Sequence, residues 1–118
     1  MNYVSLIGRL TKDPELKYSQ SGKAFCKFTI AVTREFNREE ADFINCVAWD
    51  KRAETIAEYL KKGRRIAVQG RLQTGSYEKD GRTIYTTDII VDKFTFIDFN
   101  DEKENESEKV SDDDDFPF

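Results

Sequence analysis

The alternation of apolar and polar residues is the feature of this 118-residue chain that most restricts its fold. The clearest case is the segment 24–33, AFCKFTIAVT, where every second residue from Cys26 to Val32 is apolar. A period of two places such residues on one face of a β-strand, so this set is predicted to face the core. Four further segments have strand-like patterns, at 2–10, 43–49, 64–74 and 84–99.

One segment, 50–62, has a helical pattern instead. Its apolar side chains are spaced to form one helical face and are Ala53, Ile56, Ala57 and Leu60. Asp50 is the expected N-cap, and Gly63 is suited to the left-handed residue that ends a helix. The helix therefore falls between the third and the fourth predicted strand.

Turn residues separate the strands. Asp13-Pro14 and the segment 19–23 predict turns, and Asp80-Gly81 predicts the turn of a hairpin whose tip spans 75–83. Gly70 interrupts the inner face of its strand, where barrel strands often bend. The order predicts an all-β fold, a five-stranded OB-fold barrel with one helix between strands 3 and 4. A five-stranded barrel of another topology would give the same pattern.

Charge divides the chain into a basic body and an acidic tail. Of 19 basic and 23 acidic residues, two and nine lie in 101–118, so this segment carries −7 and residues 1–100 carry +3. The tail has too little apolar surface to offset its ordering entropy and is predicted to be disordered. We therefore predict a domain at 1–99, an acidic linker at 100–111 and an acidic tip at 112–118.

The composition argues against an enzyme. The chain contains no His and only two Cys, so neither a zinc site nor a catalytic triad is expected, and no cofactor or metal is predicted. Glu39, Glu40 and Asp42 would suit a magnesium-dependent nuclease, but a solvated loop explains them better. Cys26 and Cys46 are expected to be buried and reduced. No signal peptide or membrane-spanning stretch is recognised, so a cytoplasmic, nucleoid-associated location is expected.

Aromatic residues interleaved with basic residues are the pattern that single-stranded nucleic acid requires. The candidate stacking residues are Phe36, Phe43, Trp49 and Tyr77. The pattern alone leaves Phe43 and Trp49 open between stacking and core packing. The basic residues predicted to contact phosphates from the pattern are Arg9, Lys27, Arg34, Arg65, Arg71, Lys79 and Arg82.

Several motifs resemble the single-stranded DNA-binding proteins of bacteria and phages. They are VSLIGRLTKDPELKY (4–18), FTIAV (28–32), ADFINCVAW (41–49), AEYLKKG (57–63), GRLQT (70–74), YTT (85–87) and DDDDFPF (112–118). The resemblance implies a homotetramer of OB-folds that binds and protects single-stranded DNA without sequence preference. It also implies that Phe36, Phe43, Trp49 and Tyr77 stack on bases. The phosphate contacts that it adds are Lys51, Lys61 and Lys62.

The resemblance gives the tip a second function, as a ligand for replication, recombination and repair proteins. The tip joins four acids to an aromatic-proline-aromatic ending and comprises Asp112, Asp113, Asp114, Asp115, Phe116, Pro117 and Phe118. A module for structured RNA and a protein-interaction hub remain as alternatives. The residues themselves give one support for association of subunits, because the outer face of the first strand, formed by Tyr3, Ser5 and Ile7, is rather apolar for a small domain.

Overall fold

The computed structural model describes residues 1–98 of the chain. The predicted disordered tail, with its linker at 100–111 and its tip at 112–118, lies outside these described residues. No helix in the described part is long and apolar enough to cross a membrane.

Residues 1–98 form six strands and one helix. They are β1 (Val4–Leu10), β2 (Glu15–Tyr18), β3 (Ala24–Thr33), β4 (Ala41–Trp49), α1 (Asp50–Tyr59), β5 (Arg65–Lys79) and β6 (Arg82–Phe96). The sequence predicted three strands before the helix, and the structure has four. The additional strand, β2, was missed because all four of its residues are exposed, so burial imposes no alternation on them.

Five of the strands close into a ring in the order β1-β5-β6-β4-β3. The ring closes where Arg9 and Leu10 of β1 pair with Ala31 and Ile30 of β3, while β2 pairs with β3 on the outside. Gly8 permits this closure, because a Cβ atom there would lie 2.7 Å from the carbonyl oxygen of Ala31. The predicted all-β, five-stranded OB-fold barrel is confirmed.

The predicted inner face of β3 is also confirmed. Cys26, Phe28 and Ile30 are buried, and Val32 packs against the same core. Cys26 and Cys46 are free thiols in this core. Burial raises the pKa of Cys26 to about 11 and that of Cys46 to about 12, so both side chains act as small apolar groups.

The helix differs from the prediction at both ends. It ends at Tyr59 rather than Lys62, because Leu60 turns into extended conformation and is buried. The N-cap is Trp49, which makes no side-chain capping bond, and Asp50 has a φ of 58°. Asp50 was therefore wrongly predicted as the cap. Gly63 does adopt the expected left-handed conformation, with a φ of 89°.

The β5–β6 hairpin is longer than predicted. Its strands continue to Lys79 and resume at Arg82, so the tip consists of Asp80 and Gly81 alone and not of 75–83. Both tip residues have positive φ, 54° and 78°, as a two-residue turn of the predicted Asp-Gly kind requires. The hairpin forms a ribbon that extends one wall of the barrel.

Candidate nucleic-acid interface

One side of the sheet faces away from the core across β3, β4, β6 and β5. On β4, Cys46 and Ala48 are buried, so the alternate residues point outward. Cross-strand partners share a face, which extends this outward side over the neighbouring strands. We call it the outer sheet face, and it comprises Phe25, Lys27, Thr29, Phe43, Asn45, Val47, Trp49, Arg71, Gln73, Tyr77, Asp88 and Ile90.

Three of the four predicted stacking residues lie on this face. The exposed fractions are 67% for Phe43, 52% for Tyr77 and 36% for Trp49, so core packing does not explain Phe43 or Tyr77. Trp49 is partly covered by Phe25, with 5.2 Å between the ring centroids. Phe36 is 97% exposed and lies in the loop between β3 and β4, beyond the sheet.

Exposed rings that the sequence interpretation missed lie elsewhere on the barrel. Tyr85 pairs with Ser76, next to the Tyr77–Ile84 pair, and so occupies the opposite face of the ribbon from Tyr77. Tyr3 and Tyr18 are both 63% exposed. Tyr3 and Tyr85 have no basic residue within two positions in the chain, whereas Phe36, Trp49 and Tyr77 do.

Four predicted phosphate contacts lie near the exposed rings. Lys27 pairs with Val47 on the outer sheet face, and Arg71 pairs with Ile90 there. Lys79 and Arg82 are cross-strand partners that flank the turn of the ribbon. These four residues are brought to the outer sheet face and its ribbon.

Lys51, Lys61 and Lys62 are exposed at the two ends of α1. Lys51 lies two residues beyond Trp49 in the chain, and Lys61 and Lys62 follow the helix instead of lying in its last turn. Asp13 fixes this second end, because its Oδ1 accepts a hydrogen bond from the backbone N–H of Lys62 at 2.8 Å.

Arg9 and Arg65 are cross-strand partners at the other end of β5 from Tyr77. Both face Asp98: Arg65 Nη2 donates to Asp98 Oδ1 at 2.8 Å, and Arg9 Nη1 lies 3.7 Å from Oδ2. The hydrogen bond from Arg65 lowers the pKa of Asp98 and raises that of Arg65. The structure thus separates these two arginines from the aromatic residues.

The positive charge of Arg34 is paired with two carboxylates at the β3–β4 connection. Its guanidinium donates to Glu40 at 2.8 Å and to Asp42 at 2.9 Å, and the bond to Asp42 raises the pKa of Arg34. Of the predicted acidic trio, Glu40 in the loop and Asp42 in β4 therefore pair with this arginine. No group of three or more potential metal ligands occurs within residues 1–98.

A closed five-stranded barrel with exposed rings and cations on one outer face defines an OB-fold binding protein. The chain belongs to the single-strand binding protein family, whose profile matches residues 1–97. This is a family of DNA-binding proteins and not of enzymes.

Curated relatives carry the name single-stranded DNA-binding protein. One from Clostridium perfringens is 58% identical over 83% of this chain and 67% of its own length. One from Fusobacterium nucleatum is 54% identical over 81% of this chain and 66% of its own length. One from Bacillus cereus is 51% identical over 82% of this chain and 60% of its own. The matched part thus spans about three fifths to two thirds of these relatives.

Proposed function

We propose that the protein binds and protects single-stranded DNA without sequence preference. The observation that carries this proposal is the outer sheet face, where the exposed rings of Phe43, Trp49 and Tyr77 share one surface with Lys27 and Arg71. The names of the relatives support the same ligand.

Stacking accounts for the lack of sequence preference. Every base has a π-face, so an exposed ring stacks on any base, while lysine and arginine neutralise the phosphates between the stacked bases. Rings can reach only unpaired bases, and the single helix of the domain packs against β3 and β4. Duplex DNA therefore offers the outer sheet face no stacking partner.

The test is a titration with oligo-dT and with a duplex of equal length. We expect oligo-dT to quench the fluorescence of Trp49, the only tryptophan of the chain, and the duplex to leave it unchanged. Trp49→Ala should weaken binding to oligo-dT by about 1–3 kcal/mol if one base stacks there. Circular dichroism of the variant checks that the fold is intact. Equal binding of the two DNAs would contradict the proposal.

We further propose that the protein assembles as a homotetramer. The support is β1, where Ile7 is exposed on the outer side and the backbone from Val4 to Gly8 pairs only with β5 within residues 1–98. A second copy would cover this apolar surface and pair the open edge. A monomer mass by light scattering at micromolar concentration would contradict it.

The remaining proposals concern the setting of DNA binding. The protein acts in the cytoplasm, at the nucleoid, during replication, recombination and repair. Residues 1–99 bind DNA, 100–111 form a linker and 112–118 recruit genome-maintenance proteins. The sequence of the tip supports recruitment, because an acidic run followed by two phenylalanines suits a basic surface with an apolar pocket.

A further inference from the structure

An open groove of about 450 Å³ continues the outer sheet face toward the N-terminus. Small-molecule sites have volumes of about 300–1,000 Å³. Trp49, Arg71 and Ile90 belong both to the outer sheet face and to the groove. The further lining residues are Asn2, Tyr3, Arg52, Gly70, Val91 and Asp92.

The N-terminal segment forms one wall of this groove and is held in register with β5. Val4 pairs with Gly70, so the same register places Tyr3 opposite Arg71 and Asn2 opposite Leu72. The side chain of Asn2 confirms it: Nδ2 donates to the Leu72 carbonyl at 2.8 Å, and Oδ1 accepts from the Leu72 N–H at 2.8 Å. Tyr3 is therefore presented by an anchored backbone.

Tyr3 has the properties of the predicted stacking residues. It is 63% exposed, which is more than Tyr77 and close to Phe43. Arg71, which lines the same groove, is a cation of the outer sheet face. A ring beside a cation in a groove next to a second ring, Trp49, is the arrangement that binds a nucleotide through its base and its phosphate.

The far side of the groove holds a second cation. Arg52 Nε donates to the backbone carbonyl of Asp92 at 2.6 Å, whereas Arg52 Nη2 lies 3.6 Å from the Asp92 carboxylate. The short bond to the carbonyl holds the guanidinium over the groove. At 3.6 Å the contact of Nη2 with the carboxylate is longer than a hydrogen bond, so the N–H groups of Nη2 can donate to a phosphate.

We propose that this groove binds one nucleotide of the single-stranded DNA, with the base on Tyr3 and the phosphate between Arg71 and Arg52. The inference rests on the proposed function and extends it to three residues that the sequence pattern did not indicate: Tyr3, Arg52 and Asp92. Asp92 opposes the phosphate, so its charge limits the affinity of the groove.

The first test compares Tyr3→Leu with Tyr18→Leu. The two tyrosines are equally exposed. Tyr18 of β2 pairs with the buried Ala24 of β3, so Tyr18 lies on the side of the sheet opposite to the outer sheet face. Leucine keeps apolar bulk and removes the ring. We expect Tyr3→Leu to weaken binding to oligo-dT by about fivefold or more, which corresponds to about 1 kcal/mol for one stacked base. Tyr18→Leu should bind like the wild type.

The second test addresses the phosphate. Asp92→Asn removes one negative charge from the groove, and Glu58→Gln removes one from the exposed side of α1, outside the groove lining. We expect Asp92→Asn to tighten oligo-dT binding at low salt by more than Glu58→Gln does. Equal effects would overturn the placement of a phosphate in the groove.

Light scattering of Tyr3→Leu separates DNA contact from subunit contact. Weaker binding with an unchanged assembly mass supports the nucleotide site. A changed mass, or binding of Tyr3→Leu equal to that of Tyr18→Leu, overturns it. If the wild type itself fails to bind oligo-dT, the proposed function fails first, and this site fails with it.

Discussion

Asp98 reduces the availability of two predicted phosphate contacts, Arg9 and Arg65, because it pairs with both. Its carboxylate accepts bonds from the guanidinium and from the backbone N–H of Arg65, the latter at 2.9 Å, and faces Arg9 as well. A phosphate that approaches Arg9 or Arg65 must compete with this carboxylate. These two arginines are therefore expected to contribute less to DNA affinity than Arg71, whose one side-chain hydrogen bond within residues 1–98 is to the neutral amide of Gln73.

The pH dependence of stability should report the Asp98 contacts. The hydrogen bond from Arg65 lowers the pKa of Asp98 below its ordinary value of 3.8. A carboxylate with a lowered pKa stabilises the folded state above its ordinary pKa, and this contribution disappears as the pH falls through the lowered value. We expect Asp98→Asn to reduce the free energy of unfolding modestly at neutral pH, as a partly exposed ion pair does.

Urea unfolding at neutral and acid pH measures this effect. The difference between the wild type and Asp98→Asn should shrink below pH 3.8 and vanish once Asp98 is protonated. Asp88→Asn is a suitable control, because no ion pair of Asp88 occurs within residues 1–98, and its effect should not depend on pH in this way. A difference for Asp98→Asn that persists unchanged in acid would show that the charge of Asp98 does not stabilise the fold.

At the scale of the element, the bulge in the β5–β6 ladder depends on one glycine. Gln69 pairs with Lys93 while Gly70 pairs with Val91, so Asp92 is an extra residue on β6. A Cβ atom on Gly70 would lie 1.9 Å from the backbone carbonyl oxygen of Ile90. Because the extra residue is on β6, Val91 and Phe94 both remain on the core side, opposite Gly70 and Val68.

Gly70→Ala should therefore destabilise the domain by about 1–3 kcal/mol or more, because a backbone atom must move to admit the methyl group. Gly75→Ala, on the same strand, is the matched control. Its Cβ atom would meet only the Oγ1 atom of Thr86, at 3.2 Å, and that side chain can rotate. The control should change the midpoint of urea unfolding little. Equal midpoints for the two variants would mean that the backbone at the bulge yields easily.

Features set by neighbouring residues in the chain were predicted well from sequence. Features set by contacts between distant residues were not. The Asp80-Gly81 turn follows from two residues that tolerate positive φ, and the inner face of β3 follows from its period of two. The short strand β2 has no buried residue to mark it. The ion pairs of Arg65 and Arg34 could not be predicted, because Asp98 is 33 residues from Arg65 and the loop that brings Glu40 to Arg34 has no regular pattern.

At the scale of the whole molecule, charge is divided between two parts of one chain. Residues 1–100 carry +3 and residues 101–118 carry −7, so the acidic segment is itself a polyanion attached to a DNA-binding domain. Opposite charges within one chain attract each other most at low ionic strength. The acidic segment should therefore compete weakly with DNA for the basic residues of the barrel.

Two variants separate this competition from recruitment of partners. Removal of 112–118 deletes four aspartates and both phenylalanines, so DNA affinity should stay equal or rise at low salt while partner binding is lost. Phe118→Ala removes a ring and no charge, so it should abolish partner binding and leave DNA affinity unchanged. Pull-downs from bacterial lysate with the wild type and both variants, beside an oligo-dT titration of each, measure the two effects. If the truncated protein retains the same partners, recruitment by the tip is wrong. The truncated protein keeps the outer sheet face intact. If it nevertheless loses DNA binding, the assignment of the DNA site to the barrel is wrong.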